Sequence, residues 1–304
     1  MLYRNEKNIK MRKLLIATSS FGKIDNSYNS FFKKNNIKLI YNEFKRKLKK
    51  EELINILKDE KVTSVIAGLE EYDKEVISKS NLKIIVRLGS GISNVNLDYA
   101  KKKNIKIFSS PLPTIRSVTE LTVGALLVLI RNLDYSNTSL KNKKWKRFKG
   151  ELISEKKILI LGYGRIGKAV SKALMDLGAE IYVSDPKIKK IKNQRINKVG
   201  LSKGLKMCDV ISVHTNTEKE LIGKNEFKLM KRGSIILNCS RGKTISEKYL
   251  ISSIKKGIIS RAWLDVFNEE PYYGELTKLD NVFLTPHIGS FTSKTREQME
   301  AECL

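Results

Sequence analysis

The stretch Lys157-Ile-Leu-Ile-Leu161 runs directly into Gly162-Tyr-Gly-Arg-Ile-Gly167, and no other feature narrows the possible folds as much. The apolar run reads as a strand. After the glycines, Ile166, Val170, Ala173, Leu174 and Leu177 recur at helical spacing, and Gly178 follows as a C-terminal stop. A second apolar run then leads to Asp185, eighteen residues beyond Gly167. An isolated glycine triplet of this kind is a weak signal. Strand, triplet, amphipathic helix, strand and terminal acid in that order specify a dinucleotide-binding βαβ unit. Gly162 permits the tight turn, Gly164 lets a pyrophosphate approach the backbone, and Gly167 lets helix and strand pack closely. Arg165 and Ile166 open the helix, whose positive N-terminal end faces the phosphates. Asp185 is placed to accept hydrogen bonds from ribose hydroxyls and to repel a 2′-phosphate. The expected cofactor is therefore NAD rather than NADP, although Lys187, Lys189 and Lys190 follow closely.

Short apolar runs alternate with helical stretches along the whole chain, the pattern of doubly wound parallel sheets. A first series comprises Leu14–Thr18, Ile37–Tyr41, Val62–Ala67, Lys83–Val86 and Ile105–Phe108, with amphipathic stretches such as Glu51–Leu57 and Glu75–Lys79 between them. A second comprises Lys157–Leu161, Ile181–Ser184, Val210–His214, Ser234–Asn238, Arg261–Val266 and Val282–Thr285. Strands this apolar belong in sheets covered on both faces. The series break at Ser109-Ser110-Pro111-Leu112-Pro113, after which a helix from about Ser117 is apolar nearly all round over Glu120–Ile130. Such a helix is buried, inside its domain or against a second subunit. The fold class is therefore α/β with two Rossmann-like domains. The two series are expected to form separate domains, the second carrying the dinucleotide unit.

At 304 residues the chain is long enough for two cores. Its formal charge of +27 raises the question of a nucleic-acid partner. A nucleic-acid binder concentrates basic residues on one face and interleaves them with aromatics. Here lysine is spread along the chain among many Asn and Ile, the bias of an AT-rich coding sequence, so a nucleic-acid role is not expected. The field still favours small anionic ligands. Cys208, Cys239 and Cys303 lie far apart with no paired spacing, which argues against structural zinc and a secreted disulfide scaffold and for a reducing, cytoplasmic setting. No metal site is expected. The N-terminal residues before Met11 read as a basic extension without the long apolar core of a signal peptide. The longest apolar run, Val123–Ile130, is far below the ~20 residues that span a bilayer.

From Met11 almost to its end the chain resembles the D-isomer-specific 2-hydroxyacid dehydrogenases, in particular their D-3-phosphoglycerate dehydrogenase-like branch. The matching stretches are Arg87-Leu-Gly-Ser-Gly-Ile-Ser-Asn-Val95, Arg116-Ser-Val-Thr-Glu120, Gly162–Asp185, Asn238-Cys-Ser-Arg-Gly242, Leu264-Asp-Val-Phe267 with Glu270-Pro271, and Thr285-Pro-His-Ile-Gly289. The resemblance implies NAD-dependent exchange of a hydride between a D-2-hydroxy acid and its 2-keto acid. His287 would be the acid/base, suited to neutral pH as an imidazole. Glu270 would orient it, and Arg241 would grip the substrate carboxylate with its planar fork. Backbone N–H groups of Gly89, Ser90 and Gly91 would hold that carboxylate from the other domain. Arg87 stands open between substrate binding and a domain-closing ion pair. Asp265 would anchor the nicotinamide carboxamide, Cys239 would line the cofactor side, and His214, at the end of a strand on that side, would be structural or lie near the adenine. The resemblance also implies a flavodoxin-like substrate domain of residues 1–110 completed by 287–304, an NAD-binding domain of 111–286, an active site between the two, and a homodimer through the Glu120–Ile130 helix. Related corepressors that sense the dinucleotide keep the same residues, so a binding protein or an inactive paralogue is the alternative.

Three departures from the family pattern stand out. Thr215–Glu220 after His214 is short and lacks the usual proline, which reshapes a loop over the cofactor. The loop Gly68-Leu-Glu-Glu71 is acidic where phosphoglycerate-specific relatives carry arginines, leaving Arg87, Arg116 or lysines for a phosphate. The chain also ends at Leu304, within the helix expected to return to the first domain, so no regulatory C-terminal domain is expected.

Overall fold

The computed structural model describes residues 12–18, 21–22 and 28–304. The N-terminal extension before Met11 lies outside the described residues. The chain divides into two compact units, Met1–Thr114 together with Thr292–Leu304, and Ile115–Phe291. The return to the first unit comes at Thr292 rather than at 287, because Ile288 and Gly289 stay tied by their backbone N–H groups to Asp265 of the second unit.

In the first unit β1 (Arg12–Ile16), β2 (Ile37–Tyr41), β3 (Ser64–Ala67), β4 (Ile84–Arg87) and β5 (Lys106–Ser109) form one parallel sheet. Their order, β2-β1-β3-β4-β5, is that of flavodoxin-like folds. Successive residues of a strand point to opposite faces. Leu15, Ala17, Val65 and Ile85 therefore enter one core with Leu53, Leu57 and Val76 from helices Lys50–Asp59 and Lys74–Ser78. Leu14, Ile16 and Ile66 enter the other, with Phe32 from helix Tyr28–Lys34 and Met299 from helix Ser293–Ala301.

The second unit is a seven-stranded parallel sheet of β6 (Lys157–Leu161), β7 (Glu180–Ser184), β8 (Ile196–Lys198), β9 (Val210–Val213), β10 (Ser234–Asn238), β11 (Ile259–Leu264) and β12 (Val282–Leu284). The order β12-β11-β10-β9-β6-β7-β8 is the Rossmann order with one further edge strand. Ile158, Ile160, Val183, Leu237 and Trp263 fill one core, and Leu159, Leu161, Ile211, Ile236 and Leu264 the other. Burying each such side chain contributes roughly 1.5–3 kcal/mol. Strand β8 has no counterpart in the sequence reading. It is a three-residue edge strand with one buried apolar side chain, Ile196, too short to show a period.

The long helix runs Thr114–Ile130, starting earlier than its apolar stretch. It is not buried all round within this chain. Ala125, Leu126, Leu129 and Ile130 pack on the sheet, whereas Arg116, Glu120 and Gly124 are exposed and a side chain at Gly124 would meet open space. Among the described residues no helix is long and apolar enough to cross a membrane.

Candidate active site

The order of β6 and β9 as neighbours marks where the sheet changes winding direction, and such folds bind ligands at the carboxyl ends of the strands there. The glycine triplet stands at that point. Gly162 follows β6 with φ +90°, and a Cβ there would lie 2.7 Å from the carbonyl oxygen of His214, the first residue after β9. At Gly167 a Cβ would lie 2.1 Å from the Gly162 carbonyl oxygen, so helix and turn touch backbone to backbone. Gly164 caps helix Arg165–Asp176, and a Cβ there would meet nothing within 4 Å. That open space in front of the N–H groups of Arg165 and Ile166 fits a pyrophosphate. Asp185 follows β7. Its Oδ2 accepts a hydrogen bond from Tyr163 N at 2.8 Å and its Oδ1 one from Lys187 N at 2.8 Å, which fixes the carboxylate beside the triplet.

His214 and Cys239 meet on the same side. Cys239 Sγ is 3.6 Å from His214 Nδ1 and 3.4 Å from Thr122 Oγ1, and His214 Nε2 is 2.7 Å from Ser212 Oγ. Desolvation pushes the His214 imidazole down to about 4 and the Cys239 thiol up to about 12. Both are therefore neutral at pH 7, an apolar wall rather than a reactive pair.

The carboxyl ends of β11 and β12 carry the polar constellation. His287 has a left-handed backbone, φ 53°, and its Nδ1 lies 2.8 Å from Glu270 Oε2. Glu270 Oε1 accepts from Phe267 N at 3.1 Å, so the carboxylate is held at both oxygens. His287 remains 37% exposed at its side chain, which leaves the second ring nitrogen accessible to a ligand. The loop that presents His287 is set by Asp265, which is 1% exposed. Asp265 Oδ1 accepts from Thr285 Oγ1 at 2.6 Å and Ile288 N at 2.9 Å, and Oδ2 accepts from Gly289 N at 2.9 Å. Trp263 Nε1–H donates in turn to Thr285 Oγ1 at 3.0 Å, which directs the hydroxyl proton to Asp265. Burial pushes the Asp265 carboxyl upward, opposed by these donors. Sequence reasoning gave Asp265 a ligand-anchoring role; the structure gives it this loop-holding one as well. Trp263 and Thr285 were missed, although Thr285 stands within the motif that contains His287.

Arg241 follows β10 in a loop whose backbone is tightly held. Its carbonyl accepts from Asn238 Nδ2 at 3.0 Å and Thr244 Oγ1 at 2.6 Å. A Cβ on Gly242 would collide with the Phe267 backbone at 2.0 Å, so the Arg241 loop rests directly on the segment before Glu270. The guanidinium donates through Nη1 to Ser240 O at 2.6 Å and pairs through Nε with Glu218 Oε1 at 3.3 Å. The structure thus joins Glu270 and His287 in a direct pair, and gives Arg241 an acidic partner that sequence reasoning did not name.

Arg87, Gly89, Ser90 and Gly91 belong to the first unit, where β4 ends at Arg87. The Arg87 side chain folds back under the loop, with Nη1 donating to Leu88 O and lying 3.1 Å from where a Gly89 Cβ would stand. Gly89 adopts φ +144°, open only to glycine. In the acidic loop Glu70 is 2% exposed and accepts from Gly68 N at 2.8 Å, so its carboxylate turns inward. Arg116 is exposed and paired with Glu120 at 2.8 Å.

Comparison with known proteins agrees with this geometry. Residues 123–289 match the model of the "D-isomer specific 2-hydroxyacid dehydrogenase, NAD binding domain". Over 260 residues the chain is 38% identical to a D-3-phosphoglycerate dehydrogenase of Methanocaldococcus jannaschii, covering 82% of this chain and 49% of that protein. It is 34% identical over 264 residues to a hydroxypyruvate reductase of Thermotoga maritima, covering 84% and 86%. The chain therefore spans about half the length of the first relative and most of the second. A crystal structure of a D-lactate dehydrogenase from Aquifex aeolicus, in complex with NAD and lactic acid, superposes with a TM-score of 0.82 at 25% identity, over 96% of this chain and 92% of that one. Glycine triplet, terminal acid, His–Glu pair and sequence identity converge: this chain belongs to the D-isomer specific 2-hydroxyacid dehydrogenase family, with residues 123–289 matching that family's dinucleotide-binding domain.

Proposed function

We propose that this chain interconverts a small D-2-hydroxy acid and its 2-keto acid. 3-Phosphoglycerate with phosphohydroxypyruvate, and glyoxylate or hydroxypyruvate with their reduced acids, are the candidate pairs. The observation that carries the reading is the 2.8 Å contact of His287 Nδ1 with Glu270 Oε2. With Nδ1–H donating to the carboxylate, the other ring nitrogen exchanges a proton with the substrate oxygen, taking it in oxidation and returning it in reduction. Glu270 stabilises the imidazolium that oxidation leaves. Arg241 binds the substrate carboxylate, and Gly89, Ser90 and Gly91 are further substrate-binding residues in this reading. Arg87 supports that loop from beneath. Gly162, Gly164, Arg165, Ile166, Gly167 and Asp185 would hold NAD, with His214, Cys239 and Asp265 along its nicotinamide and adenine sides. Bound NAD supplies the hydride acceptor, and its reduced form the donor. Asp185 favours NAD over NADP, since a carboxylate disfavours a 2′-phosphate.

The protein works as a cytoplasmic homodimer in this reading. Three unpaired cysteines suit a reducing compartment. The uncovered helix face at Gly124, with Val123, Leu127 and Val128 half-buried beside it, suits a second copy.

The test is NADH absorbance with glyoxylate, hydroxypyruvate, phosphohydroxypyruvate and pyruvate, on wild type and His287→Ala. Turnover of one acid, reduced by at least ~100-fold in the variant, is the expected result. Tight NADH binding with no turnover of any acid would replace it with a cofactor-sensing binding protein or an inactive paralogue.

A further inference from the structure

The short segment after β9 brings a carboxylate to the guanidinium of Arg241, and a backbone bridge just beyond ties the two segments together. Beyond the sheet proper, Ile222 forms a parallel bridge with Ile245. Leu221 N and Ile222 N donate to Thr244 O, and Ser246 N donates to Ile222 O. Between Arg241 and Ile245 the chain makes a 3-10 turn, Gly242–Thr244, so Arg241 stands one turn before the bridge. Four residues before Ile222 stands Glu218, and four before Ile245 stands Arg241. The hydrogen bond from Lys219 N to Thr217 Oγ1, 3.1 Å, turns the backbone at this point, and Glu218 Oε1 comes within 3.3 Å of Arg241 Nε.

We infer that Glu218 is a built-in competitor for the carboxylate site of Arg241. This rests on the proposed role of Arg241 as the substrate-carboxylate group and adds a device that weakens it. Glu218 meets the guanidinium at one nitrogen, Nε, and a substrate carboxylate would seek the same cation with its planar fork. Substrate therefore binds by exchange, displacing Glu218. The pair is arranged for exchange. Its side chains are 27% and 41% exposed, so separating them moves neither charge out of a buried site. The guanidinium keeps a second hold, Nη1 to Ser240 O at 2.6 Å, that does not depend on Glu218, so it stays in place while the Glu218 side chain swings away. An exposed ion pair of this kind contributes little, and the competition is correspondingly worth about three- to fivefold in affinity.

The experiment measures binding of oxalate, a small dicarboxylate, to the enzyme–NADH complex by calorimetry at low salt. Wild type, Glu218→Gln, Glu218→Asp and Arg241→Ala are compared. Glu218→Gln is expected to bind oxalate about three- to fivefold more tightly than wild type, Glu218→Asp to stay near wild type, and Arg241→Ala to lose binding. The gain in Glu218→Gln shrinks as salt rises, since both charges are partly in water. In turnover the same variant lowers KM for the keto acid by a similar factor, whereas a residue that merely orients Arg241 would lower kcat. Equal or weaker oxalate affinity in Glu218→Gln, absence of binding in both proteins included, overturns the inference. Oxalate affinity unchanged in Arg241→Ala overturns instead the role of Arg241 on which it rests. Glu218 lies at the surface, and thermal melts of all four proteins register any variant that fails to fold.

Discussion

Thr285 Oγ1 lies 2.6 Å from Asp265 Oδ1 and carries the hydrogen bond of the Trp263 indole on its other side. This relay links the sheet core to the loop of His287. Trp263 is fully buried in β11, Asp265 is the first residue after that strand, and Thr285 the first after β12. The loop conformation, including the left-handed backbone of His287, is therefore enforced from within the core.

Removing the middle of the relay leaves a buried donor and a buried carboxylate each one partner short. Thr285→Val is expected to destabilise the protein by about 1–3 kcal/mol, the range for an unsatisfied buried polar group. Urea unfolding of wild type and variant measures this. A loss well under 0.5 kcal/mol, within the ordinary range for surface changes, would show that the relay is slack.

Glu270 is held by Phe267 N and by His287, so an amide in its place keeps the shape and removes the charge. Glu270→Gln is expected to lower kcat by about tenfold or more while NADH affinity stays within about twofold, because the imidazolium loses its counter-charge. Parallel steady-state kinetics and NADH fluorescence titration separate the two. Equal kcat in variant and wild type would remove Glu270 from the reaction.

The glycines of the triplet predict two different failures. At Gly164 a methyl group meets open space, and the backbone, φ −74°, suits alanine. Gly164→Ala should melt within a few degrees of wild type yet bind NADH at least about tenfold more weakly, since the methyl group enters the pyrophosphate approach. Gly167→Ala places its Cβ 2.1 Å from the Gly162 carbonyl oxygen and should lose stability as well as NADH binding. The melting temperatures and NADH titrations of the two variants, taken together, distinguish a contact with the ligand from one within the fold.

Acid sensitivity is expected from His214, whose folded value near 4 lies below the ordinary 6.5. As pH falls below about 6.5 the unfolded chain takes up the proton first, so the native state loses relative stability until the folded imidazole also titrates near pH 4. The loss is on the order of 3 kcal/mol at most across that window. Urea midpoints between pH 7.5 and 4.5 should fall less steeply in His214→Gln than in wild type. Identical slopes would assign the acid lability to other groups.

Eleven of the twelve strands among the described residues were legible because each carries a short, nearly continuous apolar run between helical stretches, and their boundaries agree within two residues. Lys157–Leu161 and Ser234–Asn238 coincide with β6 and β10 at both ends. The twelfth, β8, has only Ile196 buried, and an edge strand gains its definition from the neighbour it bonds to, here β7. The Glu270–His287 contact was anticipated from family resemblance, not from spacing, since the two stand seventeen positions apart across loop and strand.

The amino-acid sequence alone determined the two α/β cores, the glycine triplet with its terminal Asp185, and the residue types available for chemistry. Those properties are local. Apolar period, absence of a Cβ and positive φ act within a few residues of the chain. Tertiary structure decided which polar groups meet. Asp265 became the anchor of the His287 loop because parallel β11 and β12 end side by side, so that residues twenty positions apart share one hydrogen-bond network. Glu218 met Arg241 because a bridge between Ile222 and Ile245 holds their two segments close together. Partners that are distant in sequence are chosen by strand register, and register is set by the packing of the whole sheet.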